Sequence, residues 1–345
     1  MRFPGSSTRL MSIVQSCGIG LLAGAMLAAG GCRSAATPMA KPKAERPAPE
    51  FRVSNAAHSQ LAVMNFSRGL GGFPIVVDDK PPQSVEQLVA AMTAGYDQRL
   101  APARPDRGEP TDPVVVAEGP RVDRLTNLSI HLSGRRVRGD YTPSELDTPA
   151  RRIATLFTDH LEYTAAPLVY ETGRTTIKLR AEDAELALLR DHKGVESLVL
   201  RDAREGEFEL AVAQSDLRNL LKDAARTRKT GGYRINDLNL NLAMADPQTI
   251  DLTARVDGIW AFIPASLSTN LRVKIVGDNQ LRLESLNTNG NDLAGMLVAG
   301  VIEGRLRKWV GHTIPLARWS DERIVLRDVR VSIDEYVRIK ARFGR

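Results

Sequence analysis

The sequence predicts an α+β fold built mainly from antiparallel strands. Apolar residues alternate with a period of two in long runs, and those runs follow one another instead of alternating with helices, which excludes a doubly wound sheet. A third observation concerns the helices: the stretch DLAGMLVAGVIEGRLRKWV (292–310) reads as one long helix with almost no polar side. Its polar stripe is Asp292, Glu303 and Arg307, while Leu293, Leu297, Val298, Val301, Ile302, Leu306 and Trp309 spread over most of the remaining circumference. Gly295, Gly300, Gly304, Glu303 and Arg305 interrupt it too often for a bilayer span. An antiparallel sheet buries one face. The helix is therefore expected inside a curved sheet, touched on several sides, with a ligand as a further candidate neighbour.

The N-terminus gives a destination. Arg2 and Arg9 precede the apolar, small-residue run IGLLAGAMLAAGG (19–31), and Cys32 follows directly, so residues 1–31 read as a secretory signal peptide. The residues before Cys32 resemble a bacterial lipoprotein box, with Ala29 where the usual pattern has the leucine that here stands further back, at Leu27. That resemblance implies acylation of Cys32, a palmitate-type lipid anchor; the alternative is an ordinary cleaved signal with an incidental cysteine. Cys17 lies in the signal, so the exported chain keeps Cys32 alone and can form neither an internal disulfide nor a thiolate metal site. Stability must come from a core, which the roughly 290 remaining residues can supply.

Removing Arg2 and Arg9 from 47 basic residues leaves 45 against 41 acids, spread along the chain without a basic stripe. With few aromatics, nucleic acid is a poor partner. A mildly basic surface suits anionic lipid headgroups.

Residues 32–54 hold the acylated cysteine and a Pro/Ala-rich linker, and 55–120 form an N-terminal helical and loop segment. Within it SVEQLVAAMTAGYDQRL (84–100) predicts a helix, with Ser84 as cap, Gln87 three residues on, and Val85, Leu88, Val89 and Met92 at helical spacing. Residues 101–113 read as a loop. RLTNLSIHLSG (124–134) and TTIKLRAEDAELALL (175–189) predict strands, while TPARRIATLFTDHLEYT (148–164) predicts a helix with a Thr148 cap, Pro149 in the first turn and Ile153, Leu156, Phe157 and Leu161 on one side. EGEFELAVAQ leads into SDLRNLLKDAART, a helix capped by Ser215 with Leu217, Leu220, Leu221 and Ala224 inward. Four strands follow in YRINDLNLNLAM, TIDLTARVDG, SLSTNLRVKIVG and QLRLESLNTNG, then the long helix, then RIVLRDVRVSID and EYVRIKARF as two closing strands.

The search for catalytic chemistry is negative. His58, His131, His160, His192 and His312 lie far apart, and no HExxH or G-x-S-x-G occurs. GLGG (69–72) lacks a following Lys-Ser or Lys-Thr and reads as a turn. Asp183, Glu185, Glu205, Glu207 and Glu209 fit a solvated strand face, and His312 fits a cation placed past a helix end. No enzyme activity, metal or cofactor is expected.

The order of strand, SDLRNLL helix, four strands, glycine-bearing apolar helix and VLRDVRVSID strand resembles the TULIP superfamily, in particular its LmeA-like phospholipid-binding branch. The resemblance covers residues 121–345 and is strongest from Glu205 onward. It implies a highly curved antiparallel sheet wrapped around a long helix, with acyl chains held in the groove between them, and lipid binding without catalysis. Leu293, Leu297, Val301, Gly300 and Gly304 are the candidate lining of such a groove, the two glycines leaving either a slot for a chain or a site of close backbone packing. In GIWAFIPASL (258–267), Trp260, Phe262 and Ile263 form either a lipid mouth or a plug of the sheet's core. In RLRKWVGHTIPLARW (305–319), Trp309 and Trp319 interleave with Arg307 and Lys308 as a membrane contact, or else complement a helix C-terminus.

The expected protein is thus a lipid-binding lipoprotein of a bacterial cell envelope, anchored through Cys32 and facing the periplasm. Arg33, in place of the Asp that signals inner-membrane retention in some bacteria, favours the outer membrane. The competing expectation is a structural or assembly lipoprotein that binds another envelope protein through its sheet.

Overall fold

A computed structural model of the chain describes residues 73–77, 80–102, 114–138, 150–170, 173–227, 233–260, 263–277, 280–315 and 325–345. Cys32 and the signal lie outside the described residues. Sheet dominates, so the α+β class with few helices holds.

Two long strands, β6 (Arg151–Tyr170) and β7 (Gly173–Arg190), pair antiparallel from Tyr170–Gly173 to Arg151–Arg190. The strand β6 replaces the helix expected over 148–164. Its buried residues are Leu156 and Thr158 on one side of Asp159–His160, and Leu161, Tyr163 and Ala165 on the other. Each half has period two, but the phase slips by one residue between them. A strand pattern with one such slip imitates the three- and four-residue spacing of a helix, which is why Leu156, Phe157 and Leu161 looked helical. The facing strand slips at the same place: Leu179 and Ala181 are buried before Asp183, Ala184, Leu186 and Leu188 after it, and Asp183 has a positive φ of 47°.

The earlier elements gather on β6. These are β1 (Phe73–Pro74), α1 (Val85–Arg99), β2 (Leu100–Pro102), β3 (Val115–Glu118), β4 (Arg124–His131) and β5 (Arg135–Val137). Both β4 and β5 pair with β6 in parallel, so the sheet is mixed where a purely antiparallel meander was expected. Helix α1 starts as predicted, with the Gln87 amide N–H donating to Ser84 Oγ at 3.3 Å; Gln87 Oε1 accepts from the Gln83 N–H at 2.8 Å, one residue short of a reciprocal capping box. Phe73, Leu88, Met92, Tyr96 and Val115 join Leu125, Leu128, Ile130, Leu161, Leu179 and Leu186 in one core, so the described elements β1, α1 and β3 belong to the same packed body as β4, β6 and β7.

The half of β7 before the slip pairs with β9 (Glu205–Ala213), and the half after it pairs with β8 (Glu196–Asp202). The first sheet ends on β16 (Tyr336–Gly344), paired with β9, and β15 (Val325–Ile333). Its outward side carries charges in cross-strand register: Glu162 faces Arg180, Arg180 faces Glu207, and Glu207 faces Arg342. The pairs Arg180–Glu162 (3.2 Å) and Arg342–Glu207 (3.7 Å) are exposed and worth about 0.2–1 kcal/mol each.

Between β9 and β15 the chain builds a second sheet from β10 (Tyr233–Asp246), β11 (Thr249–Trp260), β12 (Ile263–Val276), β13 (Gln280–Gly290) and the short β14 (Thr313–Pro315), all antiparallel neighbours in that order. Helix α2 (Gln214–Thr227) begins at Gln214, so Ser215 lies in its first turn and is not the cap. Leu217, Leu220 and Leu221 of α2 pack with Leu240, Leu242, Leu252, Leu271 and Val273 of the second sheet. Strand β16 serves both cores: Ile339 and Phe343 belong to the first, Val337 to the second.

Two phenols sit deep in the first core. The Tyr163 ring lies 6.0 Å from that of Phe73, and the hydroxyl of Tyr96 is buried without a hydrogen-bond partner among the described residues. Burial holds both phenols above the usual tyrosine range, and for Tyr96 the neighbouring Tyr163 adds to the rise. A group whose pKa is raised by folding stabilises fully below its unfolded value, near 10, and loses that contribution as pH climbs toward the folded value. Stability should therefore fall above pH ~10 by about 1.4 kcal/mol per pH unit for each phenol. Tyr96→Phe should halve that slope and, by removing an unpaired buried hydroxyl, raise stability near pH 7 by about 1 kcal/mol. Urea denaturation at several pH values checks both.

Candidate functional site

The long apolar helix, α3 (Leu293–Leu306), is fixed at its start by a compact polar clamp. Asp292 is its N-cap, as a carboxylate before an apolar run favours: the Gly295 N–H donates to Oδ1 at 2.6 Å, and the Ser266 N–H of β12 donates to Oδ2 at 2.9 Å. One carboxylate thus caps the helix and ties it to the sheet. Asn291 adds two bonds, its N–H to the Ser266 carbonyl (2.9 Å) and its Nδ2 to Ser266 Oγ (3.2 Å), and Ser266 Oγ donates to Asp257 Oδ1 at 2.5 Å.

Close approach at this clamp explains Gly295. A Cβ there would stand 2.2 Å from the Ser266 carbonyl oxygen, which no real side chain tolerates. Among the described side chains of α3, Ala294, Gly295 and Ala299 are buried, small residues that bring the helix against β12 and β13. The outward positions of those strands, such as Asn270 and Asn287, are exposed, so α3 lies on the opposite face, the one that also receives α2. The two helices occupy different ends of it. Helix α2 packs with residues 240–242, 250–254 and 271–273, whereas α3 is clamped near Ser266 and Gly290.

The sheet meets α3 along one side. On the other side Leu293 (79% exposed), Leu297 (62%) and Met296 (53%) face out, and a Cβ built on Gly300 or Gly304 meets nothing within 4 Å. Close backbone packing at those two glycines is therefore not what they provide among the described residues. Exposing three large apolar side chains in one stripe forgoes about 1.5–3 kcal/mol each. Val301 lies in the same helix. Ile263, 56% exposed, opens β12 three residues before Ser266, and Trp260 ends β11 opposite it in register. Phe262 and Trp319 lie outside the described residues.

The C-terminal end of α3 is cationic. Arg307 pairs with Glu303 at 3.3 Å, and a 3-10 turn Arg307–Trp309 follows. Trp309 is 44% exposed, with Lys308 Nζ 5.8 Å from the centre of its ring and the His312 ring edge-on at 6.4 Å. An indole flanked by an ammonium on an exposed turn has the composition of an interfacial anchor.

Of the residues singled out in the sequence, Leu293, Leu297, Gly300 and Gly304 share one open stripe, and Arg307, Lys308 and Trp309 close its far end. Met296 belongs to the stripe and was not singled out; its spacing of three from Leu293 is the signal that marks it. The clamp of Asp257, Ser266, Asn291 and Asp292 was missed because it joins three separate elements. Elsewhere a shallow groove of ≈ 530 Å³ runs between α1 and β3, lined by Val85, Val89, Ala90, Ala94, Ala117 and the carboxylates of Glu86 and Asp97. Among the described residues no His, Cys, Asp and Glu side chains are grouped to hold a metal ion, and no helix is long and apolar enough to cross a membrane.

The two kinds of glycine in α3 predict opposite effects. Gly300→Ala should stabilise the fold by about 0.5–1 kcal/mol through helix propensity alone. Gly295→Ala should destabilise it by more than that gain, because the helix must move off Ser266. Thermal or urea unfolding of the two variants checks the sign. No family model, curated protein or solved structure matches the chain.

Proposed function

We propose that this is a non-catalytic, lipid-anchored protein of a bacterial envelope that binds a phospholipid or another acyl chain along α3. The observation that carries the reading is the open apolar stripe of Leu293, Met296 and Leu297, continued by Gly300 and Gly304. Fourteen helical residues extend about 21 Å, comparable to an extended long acyl chain, and the glycines keep the surface low along its second half. At ~0.8 kcal/mol per CH₂, a sixteen-carbon chain gains on the order of 10 kcal/mol before entropy and strain are deducted. The cations and indole at Arg307–Trp309 would then meet a phosphate headgroup. A TULIP-like wrap of sheet around α3 belongs to the same proposal, supported by the element order from β9 to β16 and by the seating of α2 and α3 on one face of the second sheet. Cys32 would supply the anchor, with the outer membrane as its favoured site.

A second reading is favoured by the openness of the stripe. Leu293 is 79% exposed, more than a lining residue of a closed slot needs to be, and the same surface would suit an apolar segment of another envelope protein. On that reading the protein is an assembly lipoprotein and carries no lipid of its own.

Cys32→Ser should move the protein from the membrane to the soluble periplasmic fraction, and that soluble form allows the decisive measurement. Organic extraction followed by mass spectrometry is expected to find phospholipid or fatty acid in near-stoichiometric amount. Leu297→Glu should reduce it at least several-fold while leaving the unfolding midpoint within a degree or two, since the side chain is exposed. An extract without lipid, from protein that also fails to take up fatty acid, would sink the lipid reading and leave the assembly reading.

A further inference from the structure

The outward face of the second sheet carries a feature unrelated to α3. Two adjacent rows run across β10, β11, β12 and β13 in register: Asn239, Arg255, Ser268 and Asn289 in one, and Asn241, Thr253, Asn270 and Asn287 in the other. Seven of these eight side chains are uncharged and hydrogen-bonding, and five are asparagines. All are exposed except Ser268, which is half-buried. The one charge, Arg255, is answered by Asp257 at 3.5 Å. Among the described residues, no other side chain of the chain is bonded to the amides of Asn239, Asn241, Asn270, Asn287 or Asn289.

Folding does not account for this composition. Asparagine is among the residues depleted in strands. Protection of a sheet edge does not account for it either. Asn239 and Asn241 lie on the outer strand β10, and Asn287 and Asn289 on the part of β13 beyond β14, but edges are blunted by charge, proline or bulges and not by amides. Asn270 lies on the interior strand β12. The neighbouring solvated surfaces show what an ordinary outward face of this protein looks like: Asp251 pairs with Arg272 in the next row, and the first sheet carries the Glu162–Arg180 and Glu207–Arg342 pairs. The two rows stand apart as a platform about 14 Å across, three strand spacings wide.

From this we infer a binding surface for a neutral polysaccharide, a chain of sugars presenting hydroxyl and N-acetyl groups and no net charge. Each Asn offers two donors and an acceptor with two lone pairs, and Thr253 and Ser268 each offer a donor and an acceptor. Neighbouring hydroxyls and acetamido groups on a sugar match that mixture. An anionic ligand would call for unpaired cations and an apolar one for aromatic rings, and these rows hold neither. With no ring to stack on, recognition rests on hydrogen bonds alone, so a single short oligosaccharide should bind weakly, and a long polymer more tightly by occupying the rows along its length.

The test uses the soluble full-length Cys32→Ser protein and the β-1,4-linked hexamers of N-acetylglucosamine and of glucose, titrated to millimolar concentration while the side-chain amide NMR signals are followed. At least one hexamer is expected to shift the amides of Asn241, Asn270 and Asn287. Asn241→Ala and Asn270→Ala should each weaken that binding by about threefold to tenfold, and the double variant by more than about tenfold. Arg282→Ala, on the same sheet outside the rows, should leave it unchanged, as should Leu297→Glu, which separates this inference from the lipid proposal. No shift with either hexamer, or binding that the double Asn variant leaves intact, would overturn it.

Discussion

Everything in the first sheet hangs on the ladder between β6 and β7. Strand β6 offers its free edge to β4 and β5, and β7 divides its free edge between β9 and β8. The slip at Asp159 and Asp183 makes this division possible. Because both strands change phase together, their mutual pairing survives while the inward side of the ribbon changes over, so one hairpin can front two differently placed sets of neighbours. The positive φ at Asp183 marks where the backbone absorbs that change.

The second sheet meets the first through α2 on β7 and β9, through β10 on β15, and through β16. The alternating Val337, Ile339, Ala341 and Phe343 of β16 are buried, and their membership of two cores makes that strand a shared wall. Beyond it the face of the second sheet is covered by two helices of opposite character. Helix α2 is amphipathic and hides Leu217, Leu220 and Leu221, whereas in the N-terminal half of α3 the described Ala294, Gly295 and Ala299 are buried and Leu293, Met296 and Leu297 are exposed. Along those described positions small residues are buried and large ones exposed, the inverse of the usual arrangement. That inversion, held in place by Asp292 and Ser266, is the physical basis of the lipid proposal.

Much of the fold was legible where periodicity was clean. From Tyr233 to Gly290, alternation broken by Asp246–Pro247 and Gly277 marked four strands that the structure reproduces, and Ser84 with Gln87 marked α1. Two things defeated sequence reading. The phase slip in β6 turned a strand into an apparent helix, and the parallel pairing of β4 and β5 on β6 depends on long-range register that no local pattern carries. The role of Phe73, Met92 and Tyr96 in the main core was hidden for the same reason, since their partners lie far along the chain. Within the candidate site, the apolar stripe of α3 could be read from spacing alone. Which of its sides would face out could not, because that is decided by the fit of Gly295 against the Ser266 carbonyl.

The pairing of β9 with β16 sets Ala213 directly beside Tyr336, and the Gln214 N–H donates to the Glu335 carbonyl at 3.0 Å. Residues 214 and 335 thus mark one doorway: between them the chain builds α2, the second sheet and α3, and then rejoins the first sheet as β15, beside β16. A disordered excursion of that length would cost about 4 kcal/mol in closure entropy. One that has already folded, with its ends side by side, brings the two strands of the doorway together at little cost. In chain order the second sheet is an insert between β9 and β15, and the closing strand β16 places Val337 in one core and Ile339 in the other.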